Sequence, residues 1–318
     1  MRTLVLLGAL LGLALAQASW NMATPYPEAN FHTVNIKAFA KEVEEATAGR
    51  VRITVHSAGS LFPHARILPA VRAGQVQMGE VLISLLANEN PLFALDSLPF
   101  LVGSYEDARR LYQASKPEIE RWLEQRGMRL LFSVPWPPQG LYVARPVGDP
   151  AQLKGLKFRA YNPITARLAE LLGMVPTQVE VADLPQAFAT GLVQAMITSP
   201  TTGVDTQAWD FVKYFYDVKA WIPKNMVIVN RRAFEGLSPQ DQRALLEAAR
   251  RAEERGWRLS QEEEAKALKV LAEKGMVIEK PSPALLAALK KAGETLLLDW
   301  QRQAGAVGIK IYRAYLGR

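Results

Sequence analysis

The side chain with the clearest chemical role in this sequence is Arg159, which ends the segment 153–159 (LKGLKFR). Residues 155–161 alternate apolar and polar side chains, which is typical of a strand. A guanidinium carries a planar fork of donors that matches a carboxylate, and it stays charged at any relevant pH. The residues therefore favour a binding site for an organic acid, although an arginine at the end of an exposed strand is equally compatible with the pattern.

The motifs of an enzyme or a metal site are missing from the sequence. His32, His56 and His64 do not have the HxxxH or HxH spacing of metal ligands. The chain has no GxSxG nucleophile elbow, no phosphate-binding P-loop and no GxGxxG dinucleotide motif. We therefore predict no catalytic residue, no cofactor and no metal, and expect a protein that is not an enzyme.

Composition and charge narrow the class of protein further. The chain has 318 residues, of which 49% are apolar and 22% are charged, enough for two lobes with ordinary cores. It contains no cysteine, which excludes a disulfide framework, a thiolate nucleophile and a lipid-modified cysteine. The net charge is +7, but the basic residues are dispersed among acidic ones, so we expect no nucleic-acid partner.

The first 18 residues have the pattern of a secretory signal peptide. Arg2 precedes an apolar run from Leu4 to Leu15, and small residues at Ala16 and Ala18 suit a signal peptidase. The run is too short for a membrane span. The sequence thus predicts a protein exported to the periplasm and soluble there.

Strand and helix patterns alternate along the chain, as in an α/β fold. For example, residues 32–47 predict a helix and residues 50–55 a strand, and Ser104 caps a helix that continues to about Glu124. Ser238-Pro239 starts a helix of some 35 residues, which would span about 50 Å and exceed one small lobe. We therefore expect it to brace two lobes, with residues 305–317 as a tail.

Several segments together resemble the solute-binding proteins of TRAP transporters (tripartite ATP-independent periplasmic transporters, the dicarboxylate-binding-protein family). Preceded by Asp149-Pro150, the segment 153–159 resembles the family's DLKGLKIR segment. Similar matches occur, in the family's order, at four other places that span most of the mature chain: Ala40–Val55, Gly59–Leu61, Leu98–Leu101 and Ala187–Val193.

The resemblance implies a two-lobed, periplasmic-binding-protein-like α/β fold, with a cleft between the lobes and a long helix across both. It places lobe I at 19–136 and 225–264, lobe II at 137–224 and 265–292, and a C-terminal helical tail at 293–318 on lobe I. Ligand binding would close the lobes by a hinge motion and present a surface to a TRAP membrane permease. The transport energy would come from an ion gradient.

The resemblance also assigns the binding residues. Arg159 would form a bidentate salt bridge with the ligand carboxylate. Gln139 stands where members commonly carry a second cation, and Ser199 stands where they often carry an amide. These two departures favour a ligand with a single carboxylate.

Three further residues are candidates for the wall of the cleft. Trp136 lies in the proline-rich loop 135–140, and Trp221 lies near the expected hinge. Tryptophan rings make flat apolar pocket walls, although both are also compatible with core packing. Glu80 could accept a hydrogen bond from a ligand hydroxyl or be a solvated charge at a strand end.

The sequence favours a small monocarboxylate, either a 2-oxo or 2-hydroxy acid or an aromatic acid. A C4-dicarboxylate is the alternative within the family, and a ligand sensor for a receptor kinase is the alternative outside transport. Whether a metal ion bridges ligand and protein is left open, as is the choice between a monomer and a homodimer.

Overall fold

The structure, a computed structural model, describes residues 17–317 of the 318-residue chain. The predicted leader, residues 1–18, lies outside the described residues except for Gln17 and Ala18, so it stays a prediction. In the part of the chain that is described, no helix is both long and apolar enough to cross a membrane.

The described residues form two sheets. The first has five strands in the order β2-β1-β3-β10-β4, and the second has six in the order β11-β9-β5-β8-β6-β7. The strands are β1 Ala18–Ala23, β2 Val51–His56, β3 Met78–Leu82, β4 Met128–Pro135, β5 Gly140–Val143, β6 Lys157–Ala160, β7 Val175–Gln178, β8 Ala195–Thr198, β9 Tyr214–Tyr216, β10 Lys224–Asn230 and β11 Val277–Glu279.

Helices pack against both sheets, as expected for an α/β fold. They are α1 Phe31–Ala46, α2 His64–Arg72, α3 Tyr105–Glu124, α4 Pro163–Leu171, α5 Leu184–Ala189, α6 Pro200–Asp205, α7 Arg231–Glu235, α8 Pro239–Glu273, α9 Pro283–Gln303 and α10 Gly305–Tyr315. Seven of them (α1, α3, α4, α6, α7, α8 and α9) follow an Asn or Ser whose side chain accepts a backbone N–H of the first turn. Such caps satisfy backbone N–H groups that have no partner within the helix, so an Asn or Ser at this position in the sequence favours the start of a helix.

Each sheet combines parallel strands with antiparallel ones. In the first sheet β1 runs parallel to β2 and β3, whereas β10 returns antiparallel between β3 and β4. In the second sheet β6 runs parallel to β7 and β8, and β5 runs antiparallel to β8 and β9. The chain therefore builds four strands of the first sheet and five of the second, returns to the first through β10, and adds β11 to the second sheet after α8.

Two of the connections between the sheets, residues 136–139 after β4 and residues 217–223 before β10, bond to each other. Trp136 N–H donates to Pro223 O (2.8 Å), Gln139 N–H donates to Trp221 O (3.0 Å), and Ala220 N–H donates to Gln139 O (2.9 Å). This ribbon joins the end of β4 and the start of β10 to the second sheet. Because hinges are a few residues between rigid elements, it is the natural place for the lobes to bend.

The long helix α8 spans both sheets. Its 35 residues cover about 52 Å, and it packs on α1 and β4 at one end and on α6 and β11 further along. Gly256 allows the close approach, because a Cβ there would lie 2.3 Å from Val134 Cγ2. The next residue of α8, Trp257, donates its Nε1–H to Ser133 O on β4 (3.1 Å). The predicted two-lobed α/β fold with a long shared helix is confirmed; the predicted lobe limits stay a prediction.

Three strands were not recognised from the sequence, whereas the C-terminal tail is helical as the resemblance implies. Residues 305–317, expected as part of a C-terminal helical tail, contain α10 at 305–315, which buries Ile311 and Tyr315. Strand β3 was not recognised because all five of its residues are buried, so it lacks alternation. Strands β9 and β11 have only three residues each, too few to show a period.

Gly140, the first residue of β5, gives a test of the packing beside the ribbon. A Cβ there would lie 2.2 Å from Phe215 Cζ and 2.7 Å from Tyr216 O, and neither the fully buried ring nor the backbone oxygen can move away. We expect Gly140→Ala to lower the free energy of unfolding in urea by about 1–3 kcal/mol. Gly148→Ala is the matched control, because no atom lies within 4 Å of its added Cβ. Equal stability of the two variants would contradict this packing.

Candidate ligand-binding site

A cavity lies at the seam between the two sheets and encloses about 680 Å³, counted out to its open mouth. That size suits a small molecule. Its walls come from both lobes, at the carboxyl ends of parallel strands, where α/β proteins bind ligands. They are formed by Tyr26, His64, Ala65, Leu82, Leu85, Trp136, Gln139, Arg159, Tyr161, Gln178, Val179, Glu180, Val181, Thr198, Thr202 and Pro223.

Arg159, on β6, points into this cavity and is 4% exposed. Its Nε–H donates to Val179 O (2.8 Å), and its guanidinium carbon lies 4.8 Å from the centre of the Tyr161 ring. Among residues 17–317 no carboxylate forms a salt bridge with it. Burial lowers the pKa of Arg159 to about 10, so the group remains charged at neutral pH. The two terminal nitrogens of this buried cation are therefore left without a salt bridge to any described carboxylate, and Glu180 on the same wall is a nearby negative charge that acts on Arg159 from beyond salt-bridge distance.

A chain of hydrogen bonds fixes the ring beneath this guanidinium. Trp221 Nε1–H donates to the Tyr161 hydroxyl (3.0 Å), and that hydroxyl donates to Gln139 Oε1 (3.0 Å). Gln139 Nε2–H donates to Pro137 O (2.9 Å). Gln139 thus lies on the cavity wall with its oxygen and one amide hydrogen engaged by protein, and the fully buried Trp221 lies behind the wall.

Glu80, on β3, also lies behind the wall. Its carboxylate accepts from Thr24 Oγ1 (2.5 Å) and from Asn225 Nδ2 (2.9 Å), and it lies 3.2 Å from His32 Nδ1. Asn225 Oδ1 in turn accepts from Trp136 Nε1–H (2.9 Å). Glu80 therefore supports Asn225, and through it the cavity-lining Trp136.

Ser199 is fully buried and does not line the cavity. Its side chain caps α6 by accepting Thr202 N–H (3.0 Å) and also contacts the Thr202 hydroxyl (2.9 Å). The cavity is instead reached by Thr198 and Thr202. Thr198 and Ser199 diverge because successive side chains leave an extended backbone on opposite faces.

His64, the first residue of α2, lies on the lobe I side of the cavity. Its Nε2 accepts the backbone N–H of Leu82 (3.1 Å). Burial lowers the pKa of His64 to about 4; the nearby Glu80 carboxylate opposes that shift and Arg159 adds to it. At neutral pH the ring is therefore uncharged and carries its hydrogen on Nδ1.

Glu180 connects the lobes across the cavity mouth. It follows β7 in the second sheet, and its carboxylate accepts the N–H groups of His64 and Ala65 (both 3.2 Å) at the N-terminus of α2. A helix N-terminus carries partial positive charge and favours an anion.

Two further hydrogen bonds join the lobes. Asn162 Nδ2 donates to Ser84 Oγ (2.8 Å), and Asn30 Nδ2 donates to Asp205 Oδ2 (2.6 Å).

Six residues were singled out from the sequence. The structure brings Arg159, Trp136 and Gln139 together on the cavity wall, whereas Ser199, Trp221 and Glu80 lie one layer behind it.

Sequence reasoning missed Tyr161. This residue lies two positions after Arg159 and therefore on the same face of the strand, which is a signal that could have found it. It also missed His64, Glu180 and Thr198. No local sequence pattern indicates these three residues, because the residues that they contact lie far along the chain. Among the described residues no cluster of potential metal ligands occurs.

Residues 22–303 match the sequence profile of the bacterial extracellular solute-binding proteins, family 7. The chain belongs to this family. A solved extracytoplasmic solute receptor of Bordetella pertussis that binds pyroglutamic acid is similar to it, with 44% identity, a TM-score of 0.93, and coverage of 95% of this chain and 100% of that chain. A TRAP solute-binding protein from a marine metagenome, specific for pyroglutamate, has 40% identity, a TM-score of 0.93 and coverage of 95% and 100%.

A more distant relative is the 2,3-diketo-L-gulonate-binding periplasmic protein of Escherichia coli, which is 24% identical over 272 residues, 83% of this chain and 82% of its own. The predicted resemblance to TRAP solute-binding proteins is confirmed. This protein is an extracytoplasmic solute-binding protein of the TRAP type, and its family consists of substrate-binding receptors rather than enzymes.

The buried neutral imidazole of His64 makes stability depend on pH. Its pKa is about 4 in the folded protein and 6.5 when unperturbed, so below pH 6.5 the unfolded chain takes up a proton that the folded protein excludes. The contribution of His64 to stability is complete above pH 6.5 and decreases toward pH 4, by about 3 kcal/mol in all. We expect the free energy of unfolding of His64→Gln to fall less steeply over this range than that of the wild type. Parallel curves in urea titrations from pH 7.5 to 4.5 would contradict this.

Proposed function

We propose that this protein binds pyroglutamate, a five-membered lactam with one carboxylate, and delivers it to a TRAP membrane permease. The observation that carries the proposal is the buried Arg159 guanidinium, which lines the cavity and has no carboxylate within salt-bridge distance among the described residues. Pyroglutamate is the ligand named for two solved relatives that are 44% and 40% identical to this chain.

The charge of the cavity supports a monocarboxylate. Arg159 is the sole lysine or arginine among the lining residues. A bidentate arginine–carboxylate pair in a desolvated cleft would offset the cost of burying that cation. A second carboxylate would find no further cation and would meet the Glu180 carboxylate, so a C4-dicarboxylate is not favoured.

The rest of the cavity suits a compact ring. The rings of Trp136 and Tyr26 lie edge to face at 70°, with centres 4.8 Å apart, and Leu82, Leu85 and Pro223 extend the apolar wall. These flat surfaces would pack against the ring methylenes of the ligand. The predicted preference for a small monocarboxylate over a dicarboxylate is retained, with a cyclic amide acid in place of an aromatic one.

In this proposal the lobes close around the ligand by bending at the ribbon that joins them. Arg159 would hold the carboxylate, Trp136 would form the apolar wall, and Gln139 and Trp221 would hold Tyr161 beneath the guanidinium. Glu80 and Ser199 would hold the wall from behind. Export by the leader and residence in the periplasm also belong to the proposal, as does docking of the closed form on the permease.

Calorimetric titration of refolded protein, freed of co-purified ligand in guanidinium, tests the ligand class. We expect L-pyroglutamate to bind at least about 100-fold more tightly than succinate, because an unpaired buried carboxylate costs on the order of 3 kcal/mol or more. Benzoate and 2-oxoisovalerate should fall between them. Succinate binding as tight as that of pyroglutamate would refute the proposal.

Replacing the arginine tests how the acid is held. Arg159→Gln keeps a polar side chain of similar length but removes the charge, and loss of one partner of a buried charged pair costs about 2–5 kcal/mol. We therefore expect the affinity for pyroglutamate to fall by about 30-fold or more. Arg167→Gln is the control, because Arg167 is half exposed and pairs with Glu170 on the surface of α4. Retention of affinity within about threefold in Arg159→Gln would exclude the carboxylate clamp.

A further inference from the structure

His64 has a fixed orientation and a fixed hydrogen position. Its Nε2 faces the N–H of Leu82, and its ring lies edge-on to Tyr26 with centres 5.7 Å apart. Because the N–H of Leu82 needs an acceptor, Nε2 cannot carry the hydrogen of the neutral ring. Nδ1 is therefore a donor, and packing holds its direction.

The Nδ1–H group of His64 has no acceptor among the described residues. This nitrogen is not fully buried, because the fully buried polar atoms without a partner in the described part of the chain do not include it. His64 lines the cavity, so the accessible face of its ring borders the cavity space. A donor enclosed in such a cavity is stabilised when a ligand supplies an acceptor.

Other groups on the cavity wall are donors too. Arg159 presents its terminal nitrogens, and the Thr198 hydroxyl makes no hydrogen bond with a described residue. The carboxylate of Glu180 is engaged by the N-terminus of α2. An ammonium group placed beside the Nδ1–H of His64 and the Arg159 guanidinium would meet a donor and a cation, whereas an uncharged carbonyl oxygen there would accept a hydrogen bond.

We propose that His64 is the specificity-determining residue for the uncharged end of the ligand, with its Nδ1–H donating to a carbonyl oxygen. The site then selects carboxylates that carry a neutral carbonyl, such as a lactam or a 2-oxo group, and rejects amino acids that carry an ammonium. This deepens the proposed function and rests on it for the lactam.

Ligand pairs test the inference on the wild-type protein. Cyclopentanecarboxylate has the ring size and carboxylate of pyroglutamate but no carbonyl, and L-proline carries an ammonium in the ring. We expect calorimetry to show binding at least about tenfold weaker for cyclopentanecarboxylate and about 100-fold weaker for L-proline. Equal affinities of pyroglutamate and cyclopentanecarboxylate would overturn the inference.

Two substitutions at His64 separate its two nitrogens. In His64→Gln the side-chain oxygen reaches the place of Nε2 and can accept from Leu82, but no donor remains at Nδ1. In His64→Asn the amide nitrogen lies near the place of Nδ1 and keeps the donor. We expect His64→Gln to bind pyroglutamate about 10- to 100-fold more weakly than the wild type, and His64→Asn to bind it at least about fivefold more tightly than His64→Gln.

The control ligand distinguishes recognition from a structural role. Cyclopentanecarboxylate should bind His64→Gln within about twofold of the wild type, because it makes no bond with Nδ1. An equal loss of affinity for both ligands would assign His64 a structural role and refute the inference, as would full retention of pyroglutamate binding in His64→Gln.

Failure of the proposed function gives a different result. If the wild type does not bind pyroglutamate, that function is wrong, and 2-oxoisovalerate compared with isovalerate then decides the role of His64. A preference for the oxo acid of about tenfold or more that is lost in His64→Gln supports the inference. Absence of that preference, or of binding by either acid, overturns it.

Discussion

One physical constraint governs the site: the charged guanidinium of Arg159 is buried at the seam of two lobes. Burying a charge is costly, and the lowered pKa of Arg159, about 10, reflects that cost. The protein compensates it only in part, through the carbonyl of Val179 and the ring of Tyr161. In the proposed function a ligand carboxylate would pair with this cation, and part of the cost of burying it would be recovered on binding.

This arrangement requires support from behind, because a binding group is useful only if its direction is fixed. Two networks supply it. One runs from Trp221 through Tyr161 to Gln139, and the other runs from Glu80 through Asn225 to Trp136. Both cross the ribbon between the lobes, so the shape of the cavity and the geometry of the hinge are set by the same side chains.

Closure follows from the same geometry. The carbonyl of Val179 holds Arg159, and the next residue, Glu180, bonds to the N-terminus of α2 in the other lobe. In the proposed function an anion held by Arg159 would therefore also steady the segment that bonds to the other lobe at the cavity mouth. Few polar bonds cross the cleft, which suits a receptor that must open again to release its ligand.

The sequence by itself determined the helices that start at strong caps, the long helix after Ser238, the family, and Arg159 as the central cation. These signals are local, because a cap, a helical period and a short strand motif each occupy neighbouring residues. The sequence did not reveal that Thr198 and not Ser199 reaches the cavity, that Glu80 is a support, or that His64 and Glu180 belong to the site. Those roles arise from partners such as Glu80 and Asn225, 145 residues apart, or His64 and Glu180, 116 residues apart. Only the packing of two lobes brings such groups within hydrogen-bond distance, so only the tertiary structure could decide them.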